Sequence, residues 1–477
     1  MERRPAISIV VPCYNAVDTI SDTLKSIQKQ TCHTWEAICI DDESPDRTPE
    51  ILRAFAESDP RIRWAPVPHG GLGAARNHGV RLARAERIFF LDNDDTLRPD
   101  ALELLLGTSK RFDDRLIVAA GYELLDHRCH GLSLFHIPTV SDFSVDTLLR
   151  GCRFSPMTLV PAAILGPRPF AEDKRVHGCE DWDLWLRLAH ADAACVTIPR
   201  VLFGYRLRAK SLGHDADRTY ATGRRVLERW LPYAREPDAV RDAMHRWACS
   251  CGAMALASGS SQAIRRYFED LPPLEPTNGF PLAVAGGLHW AFLFVHGATG
   301  KTWRERASDW WPSIEAWLEH GPVAAHADPI LECLRRVAGN PQERLAAVQQ
   351  FIYGRLDARR IIMYGLGTNG VILLEQLRAD ADLPTVEWCL ADDQADDLTF
   401  SVLDLPRVDP RQWKTWPDDT LVLVTPNRFM DIQATLTRAG GREGMDYLIV
   451  PACTQSRLVS SRSSRKKPVG VPCLAQV

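Results

Sequence analysis

The sequence predicts an α/β fold with a mainly parallel sheet for about the first 215 residues of the chain. Short apolar, strand-like runs alternate there with helical patterns at close spacing, which is typical of parallel sheets covered by helices. Several of these runs also end in aspartate. After this region the pattern changes to Ala, Leu, Arg and Trp at helical spacing, so a helical segment is expected to follow.

Four strand-like runs are found in order in the first region. They are ISIVVP, which ends at Pro12, and then WEAICID, RIRWAPV and ERIFFL, all rich in β-branched or aromatic residues. A helical pattern follows the first run, with Asp18 or Thr19 available as its N-cap. A second helix is expected to open at Pro49, and the glycine-rich stretch 70–79 leads into a third.

At 477 residues the chain is too long for one ordinary core, so several domains are expected. The patterns predict an α/β domain over 1–215, a helical middle segment over 216–355 and a second α/β domain over 356–452. The remaining residues, 453–477, are rich in Ser, Lys and Arg, which predicts a disordered basic tail.

Composition excludes some classes of partner. The net charge of −4 gives no reason to expect binding to nucleic acid. The cysteines are scattered without a CxxC pair, which indicates reduced thiols rather than a disulfide framework or zinc site.

The N-terminus lacks a signal-peptide pattern, so a cytoplasmic location is expected. The apolar stretch 280–295 is short for a membrane span and predicts a buried helix pair, with peripheral contact at the cytoplasmic face of a membrane left open.

Acidic residues stand at the ends of two predicted strands. Asp92, Asp94 and Asp95 follow the apolar run IFFL, and Asp41 and Asp42 end the run WEAICID. In parallel sheets, ligands bind beyond the carboxyl ends of the strands. Carboxylates there can recruit a divalent cation that neutralises a diphosphate.

The alternative interpretation of the acidic cluster at 92–95 is a solvated turn, or a helix cap formed by Asp95 or Thr96. Two acidic groups at neighbouring strand ends favour a binding site over this alternative.

A further acidic pair, Glu180 and Asp181, precedes an apolar helical stripe. Acids in the first turn of a helix are favoured by the helix dipole alone, so a purely structural role is one interpretation. The other is that Asp181 is a general base that deprotonates an attacking hydroxyl group.

Together these segments resemble the family 2 glycosyltransferases, which are inverting enzymes with the GT-A fold. Six blocks carry the resemblance in the expected order over about 210 residues: VVPCYNA (10–16), IDDESPDRT (40–48), GGLGAARNHG (70–79), FLDNDD (90–95), EDWDLWLRLA (180–189) and YR (205–206). The resemblance implies a hexosyltransferase-type enzyme that inverts the anomeric carbon in a single displacement.

The resemblance also implies roles for individual residues. The backbone around Pro12 and the Asp42 carboxylate would hold the nucleobase and ribose, and Arg76 would lie near the pyrophosphate. Asp92 and Asp94 would be the two acids of a DxD motif. The remaining donor-binding candidates in the matching blocks are Tyr14, Asn15, Asp41 and Arg206.

The metal and catalytic roles complete this set of expectations. Asp94, supported by Asp95, would ligate Mn²⁺ or Mg²⁺. Asp181 would be the catalytic base, and Glu180 would orient the acceptor. Many relatives close a basic loop over the diphosphate after Tyr-Arg, and the candidates for that function here are Arg208, Lys210 and His214.

A second glycine motif, GLGTNG, follows the run IIMY and precedes a helical pattern. Gly365, Gly367 and Gly370 could hold a phosphate at a helix N-terminus, and Asp392 ends the next strand where a ribose-binding acid would stand. This predicts a Rossmann-like domain that binds NAD or another nucleotide. The alternative is a turn that only packs strand against helix, as in the small Rossmann-like domains that this segment resembles.

The expected function is transfer of a sugar, from a UDP-sugar in particular, to a glycan or lipid-linked sugar acceptor during glycan biosynthesis. One alternative is a non-catalytic scaffold that binds sugar nucleotides, which the presence of both Asp94 and Asp181 disfavours. The other is a bifunctional chain with a C-terminal NAD-dependent sugar-modifying domain, although no hydride-transfer residues follow the glycine motif.

Overall fold

The computed structural model describes residues 4–112, 116–136, 143–152, 154–208, 215–258, 261–277, 280–297 and 303–337, and beyond them chiefly the stretches 359–364, 386–391, 405–409, 420–424 and 447–449. The strands of the first domain are β1 (Ile7–Cys13), β2 (Trp35–Asp41), β3 (Ile62–Pro66), β4 (Arg87–Phe90), β5 (Thr96–Leu97), β6 (Ile117–Leu125), β7 (Gly131–His136), β8 (Thr158–Pro161) and β9 (Cys195–Arg206). Its helices are α1 (Ile20–Gln28), α2 (Thr48–Ser58), α3 (Leu72–Leu82), α4 (Ala101–Phe112), α5 (Val145–Leu149), α6 (Ala162–Leu165) and α7 (Glu180–His190).

Within the described residues these strands form one nine-stranded sheet in the order β3-β2-β1-β4-β8-β6-β9-β5, with β7 paired to β6. The four predicted strands are all present, and β1 to β4 pair in parallel. The prediction of a mainly parallel sheet is wrong for the other half, because β8 runs antiparallel to both β4 and β6. The sheet is therefore mixed, within an α/β fold.

The central strand β1 shows why this half of the sheet is parallel and buried. All seven of its residues are buried, as expected for a strand covered by helices on both faces. Its alternate side chains point to opposite faces. Ile9 and Val11 pack with Leu24 of α1 on one face, while Val10 packs with Trp185 of α7 on the other.

The helix starts differ in detail from the prediction. Helix α2 carries Pro49 in its first turn, as expected. Helix α1 begins after Thr19, but the Thr19 side chain makes no capping hydrogen bond to the helix and its hydroxyl donates to the Ala16 carbonyl instead. The predicted side-chain cap is therefore wrong, because the preceding turn already uses the hydroxyl.

The second region is helical, as the residue pattern indicates. Its helices are α8 (Ala216–Trp230), α9 (Pro237–Val240), α10 (Ala243–Ala257), α11 (Phe280–Gly297), α12 (Trp303–His320) and α13 (Ala327–Val337). Helix α8 shares a core with α7, since Val226 and Leu227 pack in the same apolar cluster as Leu184. The helical segment therefore supports the α/β domain directly.

The apolar stretch 280–295 lies in the single helix α11, so the predicted helix pair is wrong. Its residues Phe280, Val284 and Leu288 are fully buried in the core of the helical segment. Among the described residues, no helix combines the length and the apolar character needed to cross a bilayer.

A second sheet lies in the C-terminal region. Strands β10 (Arg360–Tyr364), β11 (Glu387–Ala391), β12 (Thr420–Val424) and β13 (Tyr447–Ile449) pair in parallel in the order β11-β10-β12-β13. These are the four strand-like runs of the predicted second α/β domain. The glycine motif with Gly365, Gly367 and Gly370, Asp392 and the segment 453–477 all lie outside the described residues.

Candidate active site

The turn that follows β4 lies against the carboxyl end of β1. The side-chain amide of Asn93 donates to the Pro12 carbonyl oxygen at 2.9 Å. Thr23 of α1 donates to the carbonyl oxygens of Asn93 and Asp95 at 3.0 and 2.8 Å. The acidic turn is therefore held at two points, because the Asn93 side-chain amide bonds to β1 and the Thr23 hydroxyl of α1 bonds to the backbone of the turn.

An exposed aromatic pair lies beside this turn. Tyr14 is 46% exposed, and its ring centroid is 4.7 Å from that of His69. Asn15 adopts a left-handed φ of 51°, and its N–H donates to the Ser44 hydroxyl at 3.1 Å. The bend after β1 thus leaves an exposed aromatic surface at the edge of the sheet that carries the acids.

The two acids after β2 have different surroundings. The Asp42 carboxylate accepts from the backbone N–H groups of Gly70 and Gly71 at 2.8 and 2.9 Å, and His69 Nδ1 lies 3.0 Å from it. Asp42 is therefore used to shape the glycine loop, and its contact with a nucleobase stays a prediction. Asp41 is buried, and burial raises its pKa. Its Oδ1 atom has no hydrogen-bond partner among the described residues.

A buried arginine joins the two ends of the candidate site. Arg76 of α3 is 1% exposed. Its Nη2 atom donates to Asp92 Oδ1 and its Nη1 atom to Glu180 Oε1, both at 2.7 Å. Glu180 also accepts from the Gly178 N–H at 2.6 Å. The guanidinium is therefore enclosed, which places Arg76 behind the site rather than on the surface that a diphosphate would contact.

Asp181 follows Glu180 in the first turn of α7 and is partly exposed. One of its oxygens accepts from the Trp182 N–H at 2.7 Å. Burial, and after it the charge of Glu180, raise the pKa of Asp181 to about 7, although the Arg76 charge acts in the opposite direction. A carboxylate with such a pKa can take a proton near neutral pH.

Asp94 and Asp95 point to different environments. Asp95 is 2% exposed, and its Oδ1 accepts from the backbone N–H of Arg206 at 3.0 Å. It is neither a solvated turn residue nor a helix cap, because it is buried and the next element is strand β5. The Asp94 side chain is 23% exposed and lies 3.4 Å from Arg208.

Arg206 is not gathered with the other predicted donor-binding residues. Its guanidinium donates to Asp22 at 2.9 Å and contacts the Cys129 sulfur, and the residue is 5% exposed. The structure thus favours the packing alternative for its side chain. Arg208, two residues further on, is the basic residue of this segment that reaches the acidic turn, whereas Lys210 and His214 lie outside the described residues.

The acidic turn has the chemistry of a site for a hard divalent cation. Burial, and after it the neighbouring charge of Asp92, raise the pKa of Asp94, although Arg208 acts in the opposite direction. Among the described residues, no three His, Cys, Asp or Glu side chains are grouped closely enough to hold a metal ion. Mg²⁺ typically uses one or two protein carboxylates and completes its shell with water and substrate phosphates, so Asp94 fits such a site.

His177 is a site residue that the sequence analysis did not single out. A side chain at Gly71 would come within 2.9 Å of the His177 ring, so this ring packs directly on the loop that Asp42 holds. Burial lowers the pKa of His177, which favours the neutral ring. The available signal in the sequence was its position three residues before Glu180. Spacing alone does not show that the segment before α7 packs against the glycine loop at the start of α3.

Known proteins match the same part of the chain. Residues 8–124 match the family model described as glycosyl transferase family 2. An uncharacterized glycosyltransferase of Rickettsia typhi is 27% identical over 227 residues, which cover 45% of this chain and 66% of the relative. Chondroitin synthase of Escherichia coli is 40% identical over 111 residues, or 23% of this chain and 16% of that protein. Over residues 8–124, the N-terminal part of this chain is therefore similar to glycosyltransferase family 2.

The overall similarity to solved structures is lower. The structure of Staphylococcus aureus TarS residues 1–349 in complex with UDP shares 14% identity, with a TM-score of 0.40 over 72% of this chain and 91% of that one. The chain spans about two thirds or less of the length of the curated relatives named above.

Proposed function

We propose that the chain is an inverting glycosyltransferase that transfers a sugar from a nucleotide diphosphate to an acceptor hydroxyl in polysaccharide biosynthesis. The observation that carries this proposal is the arrangement around Arg76. One buried guanidinium holds Asp92, at the end of β4, and Glu180, at the start of α7. Asp94 and Asp181 stand beside these two residues in the sequence, so a donor-side acid and a candidate base belong to one constellation.

The donor would bind at the carboxyl ends of β1, β2 and β4. The exposed Tyr14–His69 pair supports stacking of a planar nucleobase. Asp41 Oδ1, a buried acceptor with no partner among the described residues, is suited to a donor group of the nucleoside, since an unpaired buried acceptor is costly. The proposed nucleotide is UDP, and the donor panel described below tests this choice against other bases.

The transfer would be a single displacement at the anomeric carbon. The acceptor oxygen attacks that carbon as the bond to the diphosphate oxygen breaks, and the diphosphate leaves with the electron pair. Asp181, with a pKa of about 7, accepts the proton of the acceptor hydroxyl. No covalent enzyme intermediate forms, so the anomeric configuration is inverted.

Charge on the leaving diphosphate must be balanced. Arg208 lies over Asp94 and is the described cation best placed to approach a diphosphate bound there. Mg²⁺ or Mn²⁺ held by Asp94, with Asp92 nearby, would supply Lewis-acid stabilisation of the leaving group when bound. The hydrogen bond that the Asp95 carboxylate accepts from the Arg206 N–H supports a structural role for Asp95 in holding this turn.

The test is nucleotide release from UDP-, GDP- and dTDP-sugars in the presence of Mn²⁺, Mg²⁺ or EDTA. Asp94→Asn and Asp181→Asn are compared with wild type. We expect one donor to be cleaved, EDTA to abolish cleavage, and each variant to lose about a hundredfold or more.

Asp192→Asn is the matched control. Asp192 is exposed, pairs with Arg235 on the surface and has a φ of 55°, which asparagine tolerates. This variant should keep wild-type activity. The proposal fails if the wild type cleaves no donor and calorimetry detects no binding of any of the three sugar nucleotides with either metal.

A further inference from the structure

Arg76 is enclosed on every side that the described residues define. It is 1% exposed, its terminal nitrogens are used by Asp92 and Glu180 at 2.7 Å, and its guanidinium carbon lies 5.2 Å from the centre of the Phe170 ring. The two carboxylates come from positions 16 and 104 residues away in the sequence. One cation is therefore shared between two distant parts of the fold.

We propose that Arg76 is a positioning residue that couples the donor side of the site, at Asp92, to the acceptor side, at the Glu180–Asp181 turn. This inference rests on the proposed transferase function and deepens it, because it assigns a link between donor binding and placement of the base. Arg76 acts through the two carboxylates and contacts neither substrate.

The physical basis is competition for one buried charge. In a low-dielectric interior the two carboxylates interact with the same guanidinium and with each other, so a change of charge at one alters the electrostatic energy of the other. Glu180 is 2% exposed, and its two carboxylate oxygens already accept from Arg76 and from the Gly178 N–H, so neither oxygen is available to a nucleotide. Any effect of Glu180 on nucleotide affinity must pass through its neighbours, and Arg76 is the described residue that joins it to Asp92.

The charges that face Asp181 agree with this link. They are Glu180 on its own helix, Arg76 on α3 and Asp92 after β4, and each of them shifts the pKa of Asp181. The Cys179 thiol also lies near, and burial raises its pKa so that it is neutral at pH 7. The exposed Cys152 thiol is near as well. A change of charge at Asp92 should therefore shift the pKa of the candidate base, 89 positions away by residue number.

The experiment is a double-mutant cycle on the full chain with Asp92→Asn and Glu180→Gln. The readout is the dissociation constant of UDP with Mn²⁺, measured by calorimetry, in which stoichiometry separately reports the folded fraction. We expect Glu180→Gln to change this constant by about threefold or more in the wild-type background, and by less than about twofold when Asp92 is already Asn.

Arg76→Lys provides the second arm, because lysine keeps the charge but cannot form the fork to both carboxylates. In this background we expect the effect of Glu180→Gln on the dissociation constant of UDP to differ by less than about twofold between Asp92 and Asn at position 92. The pair Asp192→Asn and Glu180→Gln is the control, and its effects should multiply independently. If Arg76→Lys does not fold, the cycle in the wild-type background still decides the question.

Two failures can be told apart. If the wild type binds UDP but the effects of Asp92→Asn and Glu180→Gln multiply independently, the coupling is refuted and the transferase proposal stands. If the wild type neither binds nor cleaves any sugar nucleotide, the proposed function fails and this inference fails with it.

Discussion

The carboxylate of Asp95 accepts a hydrogen bond from the backbone N–H of Arg206 at 3.0 Å, across 111 positions of sequence. Both residues are buried, and they lie where β5 pairs with β9. The bond fixes the end of β9 to the turn that carries Asp92 and Asp94. Asp95, which the sequence predicted to support a metal ion, thus ties the acidic turn to the end of β9.

This contact predicts different outcomes for two substitutions at position 95. Asp95→Ala leaves the buried Arg206 N–H without an acceptor, so it should lower the free energy of unfolding by about 1–3 kcal/mol. Asp95→Asn keeps an acceptor oxygen and should lose less. Urea unfolding of the two variants measures the difference, and equal losses would show that the hydrogen bond contributes little.

The pKa of Asp181 predicts the pH dependence of transfer. A base must be ionised to accept a proton, so kcat/KM should fall about tenfold per pH unit below pH 7 and level off above it. The profile of Asp181→Asn should be flat over this range. Asp173→Asn is the control, since the Arg175 side chain lowers the pKa of Asp173 to about 2 and this acid does not titrate there. A wild-type profile without an inflection between pH 6 and 8 would rule out this assignment.

The same raised pKa predicts a cost in stability. Between about pH 4 and pH 7 the folded protein keeps a proton on Asp181 that the unfolded chain has lost, so this group makes the free energy of unfolding fall as pH rises. Because Asp181 is partly exposed, the expected size is on the order of 1–3 kcal/mol. Asp181→Asn should therefore gain stability relative to wild type between pH 5 and pH 8. Urea unfolding at the two pH values tests this, and an unchanged difference would contradict it.

Two helical glycines predict opposite effects of the same substitution. A methyl group at Gly73 of α3 would lie 2.5 Å from the Ala171 carbonyl oxygen, whereas one at Gly107 of α4 would meet nothing within 4 Å. Gly73→Ala should therefore destabilise the fold by about 1–3 kcal/mol. Gly107→Ala should stabilise it by about 0.5–1 kcal/mol, because alanine restricts the unfolded chain.

Activity provides a second readout for this pair. The segment that contacts Gly73 also bonds to Asn77 through Phe170 and leads directly to Glu180. Gly73→Ala should therefore reduce turnover under conditions in which the variant remains folded, while Gly107→Ala should not. Loss of activity in both variants would contradict a specific contact at Gly73.

The local elements of the α/β domain were predictable from sequence. The strands ending at Pro12 and Asp41, the helix opened by Pro49 and the acidic turn after β4 all follow from short-range patterns of apolar spacing and turn residues. The antiparallel pairs that β8 makes with β4 and β6 were not predicted. Residues 91–157 separate β4 from β8, and the pairing direction of strands distant in sequence is not encoded by periodicity.

The sequence by itself determined which chemical groups stand at the carboxyl ends of the strands, because strand ends and helix starts are set by neighbouring residues. Only the tertiary structure decided what those groups contact. It encloses Arg76 between Asp92 and Glu180 and pairs the Arg206 side chain with Asp22. The physical reason is that an ion pair depends on distances of a few ångströms between side chains, and here the paired residues are separated by as many as 184 positions.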